Sequence, residues 1–329
     1  MAFSDRLGGG RNPLYDYLKT LAIFFVLCTH CKTQDDITDN AIISKFLDFL
    51  LFCNGVPIFF AVSGALLLSK ERPIRYYLKK MAKTALLVII WSIIQTILCT
   101  IYRNEPIDTK AILLHVLHQD LYYCNYMWYL CALFGIYSLT PFLESFVKKG
   151  RNELNYTIGF ALLFSALSGL AWKFNPIKGS MSNASFAYYV MGYVIYCTAL
   201  LNKLQKHSLL ILFVTLITLS LYEFFIPDLV RTYIGYDYTS IFGVIFICSF
   251  LVYVKSKEAY LMKHEIISYI GKNTLGIYLL QGPIYKCLDA YIPSIHFLGI
   301  VYPLIVMVLC LMVLEILKSN KITNYIVSL

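Results

Sequence analysis

Lys19 and His30 are the residues of this chain whose type and spacing point most directly to chemistry. The apolar run Leu21-Ala22-Ile23-Phe24-Phe25-Val26-Leu27 separates them. On a helix of ~3.6 residues per turn and ~1.5 Å rise, positions 19 and 30 share a face and lie about 16 Å apart. Ionisable groups inside an apolar span are costly, and they usually face a polar cavity or pathway. A neutral imidazole can take the proton of an approaching hydroxyl and so serve as a general base. It can also act as a nucleophile and carry a group covalently. The pair reads as a catalytic stripe, with a fixed cation at one level and a titratable ring at another.

Several other groups invite a chemical reading. The stretch Glu71-Arg72-Pro73-Ile74-Arg75-Tyr76-Tyr77-Leu78-Lys79-Lys80-Met81-Ala82-Lys83 is the densest basic patch. It reads as topogenic charge on anionic headgroups, or as a phosphate clamp in which Arg75 and Lys79, then Lys80 and Lys83, are helical neighbours. Ser63-Gly64 reads as a packing pair before a nucleophile, since no acid or base adjoins Ser63 in sequence. Cys28 and Cys31 have C-x-x-C spacing without a second pair. His115 and His118, with Asp120, have H-x-x-H spacing without a further ligand set, so no metal is expected.

The elements that must position these groups are helices in a bilayer. The 329 residues are 59% hydrophobic and only 14% charged, where a soluble domain carries about a quarter. Hydropathy marks about ten spans: 14–31, 46–68, 84–102, 126–147, 154–172, 184–201, 208–226, 237–254, 266–291 and 296–318. The ninth is interrupted in sequence by Lys272, Asn273, Gln281, Gly282 and Pro283. The opening residues, with Ser4, Asp5 and three glycines, do not read as a signal peptide. The expected fold is an all-α polytopic bundle forming a single domain over residues 1–329.

Charge sets the expected orientation. The net charge of +9 is carried by short loops, which points to topology and not to nucleic acid. Alternate loops are rich in cations: Lys70 to Lys83, Lys148 to Arg151, Lys203 and Lys206, then Lys255 to Lys263. The others are lean and hold Asp35, Asp36, Asp39, Asp108, Asp120, Asp228 and Asp237. Both termini are therefore expected in the cytoplasm, with His30 towards the outer face. Asp35, Asp36, Arg231 and Asp237 would then lie on the outer side. Outer tyrosines read as an interfacial belt.

An ordered set of motifs adds to this. Asp16-x-x-Lys19 leads to His30; Val56-Pro57-x-Phe59-Phe60-x-x-Ser63-Gly64 and Lys80-x-x-Lys83 follow. Then come Met127-Trp128-Tyr129-Leu130 with Tyr137 and Pro141, Tyr188-Tyr189 with Gly192, and Ile270-Gly271-Lys272-Asn273-Thr274-Leu275-Gly276-Ile277-Tyr278. Together they resemble the acyltransferase-3 family of integral membrane O-acyltransferases over nearly the whole chain.

The resemblance implies transfer of an acyl group, most often acetyl, from cytoplasmic acetyl-CoA to a hydroxyl of a surface or lipid-linked saccharide such as O-antigen. It implies a multi-pass protein of the bacterial cytoplasmic membrane. The family's basic residue and histidine fall on Lys19 and His30. Its Arg-x-x-Arg falls on Lys80 and Lys83, which keep charge but lose the planar fork. Arg75 and Lys79 join them as expected donor-binding residues. Where the family often has a second histidine, this chain has Gln281. With a saccharide acceptor implied, Asp35, Asp36, Tyr129, Arg231 and Asp237 are expected in substrate binding, with outer tyrosines as flat faces for sugars, and Tyr129, Asn273 or Ser63 could steady an oxyanion. The competing expectation is a transporter or flippase for a lipid-linked saccharide, since broken spans occur in carriers.

Overall fold

The computed structural model describes residues 12–31, 38, 40–50, 54–118, 127–166, 183–227, 230, 239–261, 264–292 and 298–328. Its regular elements are helices, and no strand occurs among the described residues. In chain order these are α1 (Pro13–His30), α2 (Ala41–Leu50), α3 (Gly55–Leu67), α4 (Ile74–Tyr102), α5 (Thr109–His118), α6 (Trp128–Val147) and α7 (Arg151–Ala166). Then follow α8 (Asn183–Cys197), α9 (Ser208–Phe225), α10 (Ile241–Ser256), α11 (Glu265–Tyr291), α12 (Val301–Lys318) and α13 (Lys321–Val327).

Four helical segments are long and apolar enough to cross a membrane: α4, α6, α12 and Asn202–Phe225, which ends in α9. Helices α3, α8 and α10 are shorter apolar segments. Leu209, Leu210, Phe213, Val214, Ile217 and Leu221 of α9 are exposed, a face suited to lipid and not to water. The chain is a multi-pass helical membrane protein.

Three expectations need correction. The span read at 46–68 is two helices, α2 and α3. With 13 residues, α3 is about 20 Å long against ~30 Å of hydrocarbon. Pro57 is its third residue, where a missing N–H has no helical partner to lose. The basic stretch before the third span is not a loop: Ile74 to Lys83 forms the first turns of α4. The ninth span is not broken, because α11 is one helix from Glu265 to Tyr291 with Pro283 inside it.

Helix α1 is the axis of the site. Asn12 caps it by accepting from the Leu14 N–H at 2.8 Å, and Pro13 supplies a preset first turn. Leu14, Leu18, Ala22, Ile23, Val26 and Leu27 are buried against α3, α11 and α12. Helix α11 runs in the same direction beside it. Asn12 Nδ2 donates to Glu258 Oε1 at 3.1 Å, and Ser268 Oγ to Asp16 Oδ2 at 2.8 Å. One turn on, Lys19 shares a cavity with Thr274, Leu275 and Tyr278. Small residues let backbones approach: a Cβ on Gly64 would overlap the Tyr189 carbonyl, and one on Gly192 the Ala61 carbonyl. Those two glycines set the close α3–α8 crossing.

Candidate active site

Four helices enclose a cavity of about 160 Å³ around Lys19. Phe59 and Ser63 come from α3; Tyr129, Leu133 and Tyr137 from α6; Thr274, Leu275 and Tyr278 from α11. The spacings 59/63, 129/133/137 and 274/278 each place side chains on one helical face. The lining is unusual for a lipid-embedded bundle, with one ammonium and five hydroxyls. Tyr129 is the centre of its ring cluster, 5.1 Å from Phe60 and 5.3 Å from Tyr278 between centroids. The Ser63 hydroxyl lies beside that of Tyr129. An ammonium among hydroxyls can hold an anionic or strongly polar group.

Lys19 is where the sequence placed it, on the inner stripe of α1, and the structure joins it to Tyr129. It does not join Lys19 to His30. His30 is the last residue of α1, half-buried, and is not among the cavity walls. Of the three oxyanion candidates, Tyr129 and Ser63 line the cavity. Asn273 is engaged elsewhere: it accepts from Lys318 Nζ at 2.7 Å and donates to the Tyr269 carbonyl at 2.9 Å.

The basic patch divides into two faces of α4. Arg75 and Lys79 are exposed, whereas Lys80 and Lys83 are half-buried. Arg72, which precedes the helix, closes the inner group, and the charges of Arg72, Lys80 and Lys83 lie within reach of one another. The Arg72 guanidinium also donates to the Leu66 and Leu67 carbonyls at 3.1 and 3.2 Å, capping the C-terminus of α3. It stands 4.9 Å over the Tyr76 ring, with Lys80 at 5.9 Å from the same ring. Lys83 stands 4.3 Å over Tyr325 of α13. Of the four expected cations, Lys80 and Lys83 thus group with Arg72, while Arg75 and Lys79 lie on the exposed face. Arg72 extends the 76/80/83 stripe although it lies before the first helical residue, Ile74.

A buried seam links this cation group to the cavity. Tyr76 stands near the cavity residue Tyr137. Further along the same face of α6, Thr140 Oγ1 and Tyr189 OH are 2.8 Å apart. Beyond them, buried Glu144 accepts from Tyr77 OH at 2.8 Å and from Lys148 Nζ at 3.0 Å. Asp35, Asp36, Arg231 and Asp237 lie outside the described residues, as do Asp120 and most of the outer tyrosines.

A family model described as an acyltransferase domain matches residues 12–316. No curated protein and no solved structure matches the chain.

Proposed function

The chain belongs to the acyltransferase-3 family, and from that premise we propose that it moves an acetyl group from cytoplasmic acetyl-CoA to a hydroxyl of a surface or lipid-linked saccharide, with O-antigen as the type of acceptor. In this reading about ten helical passes cross the bacterial inner membrane, with both termini and the cation-rich helix ends in the cytoplasm. Arg72, Lys80 and Lys83 take the phosphate-bearing nucleotide end of the donor. Exposed Arg75 and Lys79 face headgroups or the outer edge of that end.

One observation supports this reading most: Lys19 sits in a hydroxyl-lined cavity whose wall residue Tyr137 lies near Tyr76 of the cation group, on the face of α1 that helix pitch shares with His30. The donor's arm from phosphate oxygen to sulfur is about twelve bonds, and an extended chain advances roughly 1.2 Å per bond, or about 14 Å. That is close to the ~16 Å between Lys19 and His30 along the helix. Lys19 then binds the donor's inner phosphate, while the thioester carbonyl reaches His30.

The reaction balances without another reagent. The neutral His30 ring accepts the saccharide O–H proton as that oxygen attacks the thioester carbonyl. The tetrahedral adduct collapses, the C–S bond breaks, and the thiolate takes the proton to leave as free coenzyme A. Outer residues Asp35, Asp36, Arg231 and Asp237 bind the acceptor. The transporter reading loses its main support, because α11 is unbroken.

The test is thioester turnover by the purified protein in lipid nanodiscs, given acetyl-CoA and cell-surface glycan. Free coenzyme A and acetylated glycan should appear in equal amounts, and His30→Ala should slow both by about 10²- to 10⁴-fold while leaving the fold intact. Wild-type rates in that variant would refute the mechanism.

A further inference from the structure

Gln281 is fully buried on α11, and neither its carboxamide oxygen nor its nitrogen has a hydrogen-bond partner among the described residues. A buried amide without partners costs about as much as a lost hydrogen bond, so such groups in folded proteins call for an explanation. Its position supplies one. Thr274, Tyr278 and Gln281 are spaced i, i+4 and i+7, one stripe of the helix, and the first two line the Lys19 cavity. Gln281 is about 4.5 Å beyond Tyr278 along the axis. Because α11 runs in the direction of α1, that step leads from Lys19 towards His30.

We propose that the Gln281 carboxamide binds the pantetheine arm of the acyl donor between the Lys19 cavity and His30. This rests on the reading of acyl-coenzyme A as donor. The arm carries two secondary amides, each with one N–H and one C=O. A primary carboxamide is their complement: its NH₂ donates to the arm's carbonyl, and its oxygen accepts from the arm's N–H. No charge is needed there, and an imidazole or carboxylate would match an amide less fully. Gln95 of α4 is also buried with an unpartnered amide, but α4 contributes no wall to the cavity. It serves as the control.

The experiment measures equilibrium binding of radiolabelled coenzyme A and of adenosine 3′,5′-bisphosphate, which has the nucleoside and two of the three phosphates but neither the arm nor the phosphate that carries it, to full-length protein in nanodiscs. Gln281→Leu and Gln281→Met should weaken coenzyme A binding about tenfold, the scale of one to two good hydrogen bonds. Both should leave the bisphosphate unaffected. In turnover they should raise KM for acetyl-CoA and not for the acceptor. Gln95→Leu should change neither ligand. All three should unfold at the wild-type temperature or above, since each removes an unsatisfied buried group. Equal coenzyme A binding by wild type and Gln281→Leu overturns the proposal alone, as does loss of the fold, which would show that the bundle itself needs the amide. No coenzyme A binding by wild type overturns the donor reading beneath it.

Discussion

Replacing Lys19 by Met removes the ammonium and keeps a stem of similar length, so the cavity wall survives while its charge does not. Two unit charges ~4 Å apart attract by roughly 4 kcal/mol at an effective dielectric of ~20 and by ~1 kcal/mol in water. Lys19 is half-buried at the edge of a 160 Å³ cavity, so the net value falls between these limits. Hydrogen bonds to charged groups contribute about 1.5–3 kcal/mol net. At ~1.4 kcal/mol per tenfold, Lys19→Met should weaken acetyl-CoA binding by about 10- to 150-fold. The interaction is the same before and during acyl transfer, so KM should rise while kcat holds. The assay is coenzyme A release with two donors: acetyl-CoA and S-acetylpantetheine, which has the arm and thioester but no phosphate. The second donor should be indifferent to the substitution. An equal loss with both donors would place the ammonium at the reacting carbonyl, and the ~16 Å division of labour along α1 would be refuted.

Other outcomes follow from the same geometry. With His30 as base, kcat should rise with pH until the ring is neutral and then level off, and His30→Ala should lower it by about 10²- to 10⁴-fold. Gly64→Leu should drive α3 from the Tyr189 carbonyl and cost at least ~3 kcal/mol, seen as loss of the thermal transition; Gly159→Ala, whose added Cβ meets nothing within 4 Å, should be neutral or slightly stabilising. Glu144→Ala strips partners from the Tyr77 hydroxyl and Lys148, and should destabilise by about 1–3 kcal/mol in denaturant titration. Arg72→Lys keeps the charge but loses the fork that caps α3 at Leu66 and Leu67, and should lower the unfolding midpoint by about 2–4 °C.

Much of this protein is local and so was legible in its residues. The stripe from Lys19 to His30 follows from helix pitch, and α1 indeed runs from Pro13 to His30 because Asn12 and Pro13 start it. The boundaries of α6, α9 and α11 lie within two residues of the hydropathy estimate, since an apolar run of bilayer length declares itself. The motif order pointed to the family that the match over 12–316 assigns. Local pattern failed where two structures share a composition. The apolar stretch 46–68 does not reveal its division into α2 and α3, and the basic stretch 71–83 does not reveal that most of it opens α4 or which cations turn inward.

What only the tertiary structure decided is which residues meet. Lys19, Ser63, Tyr129 and Tyr278 come from four helices far apart in sequence, and nothing in their separate periodicities says that they face one space. The meeting depends on how closely helices approach, which is set by Gly64 against Tyr189 and by Gly271 against Asp16. Hydropathy measures a residue's preference for lipid or water. It carries no information on contacts between helices, because burial against protein and burial in lipid satisfy an apolar side chain alike. For the same reason an unpartnered amide such as Gln281 has no signature in the sequence: it is visible only once its neighbours are in place.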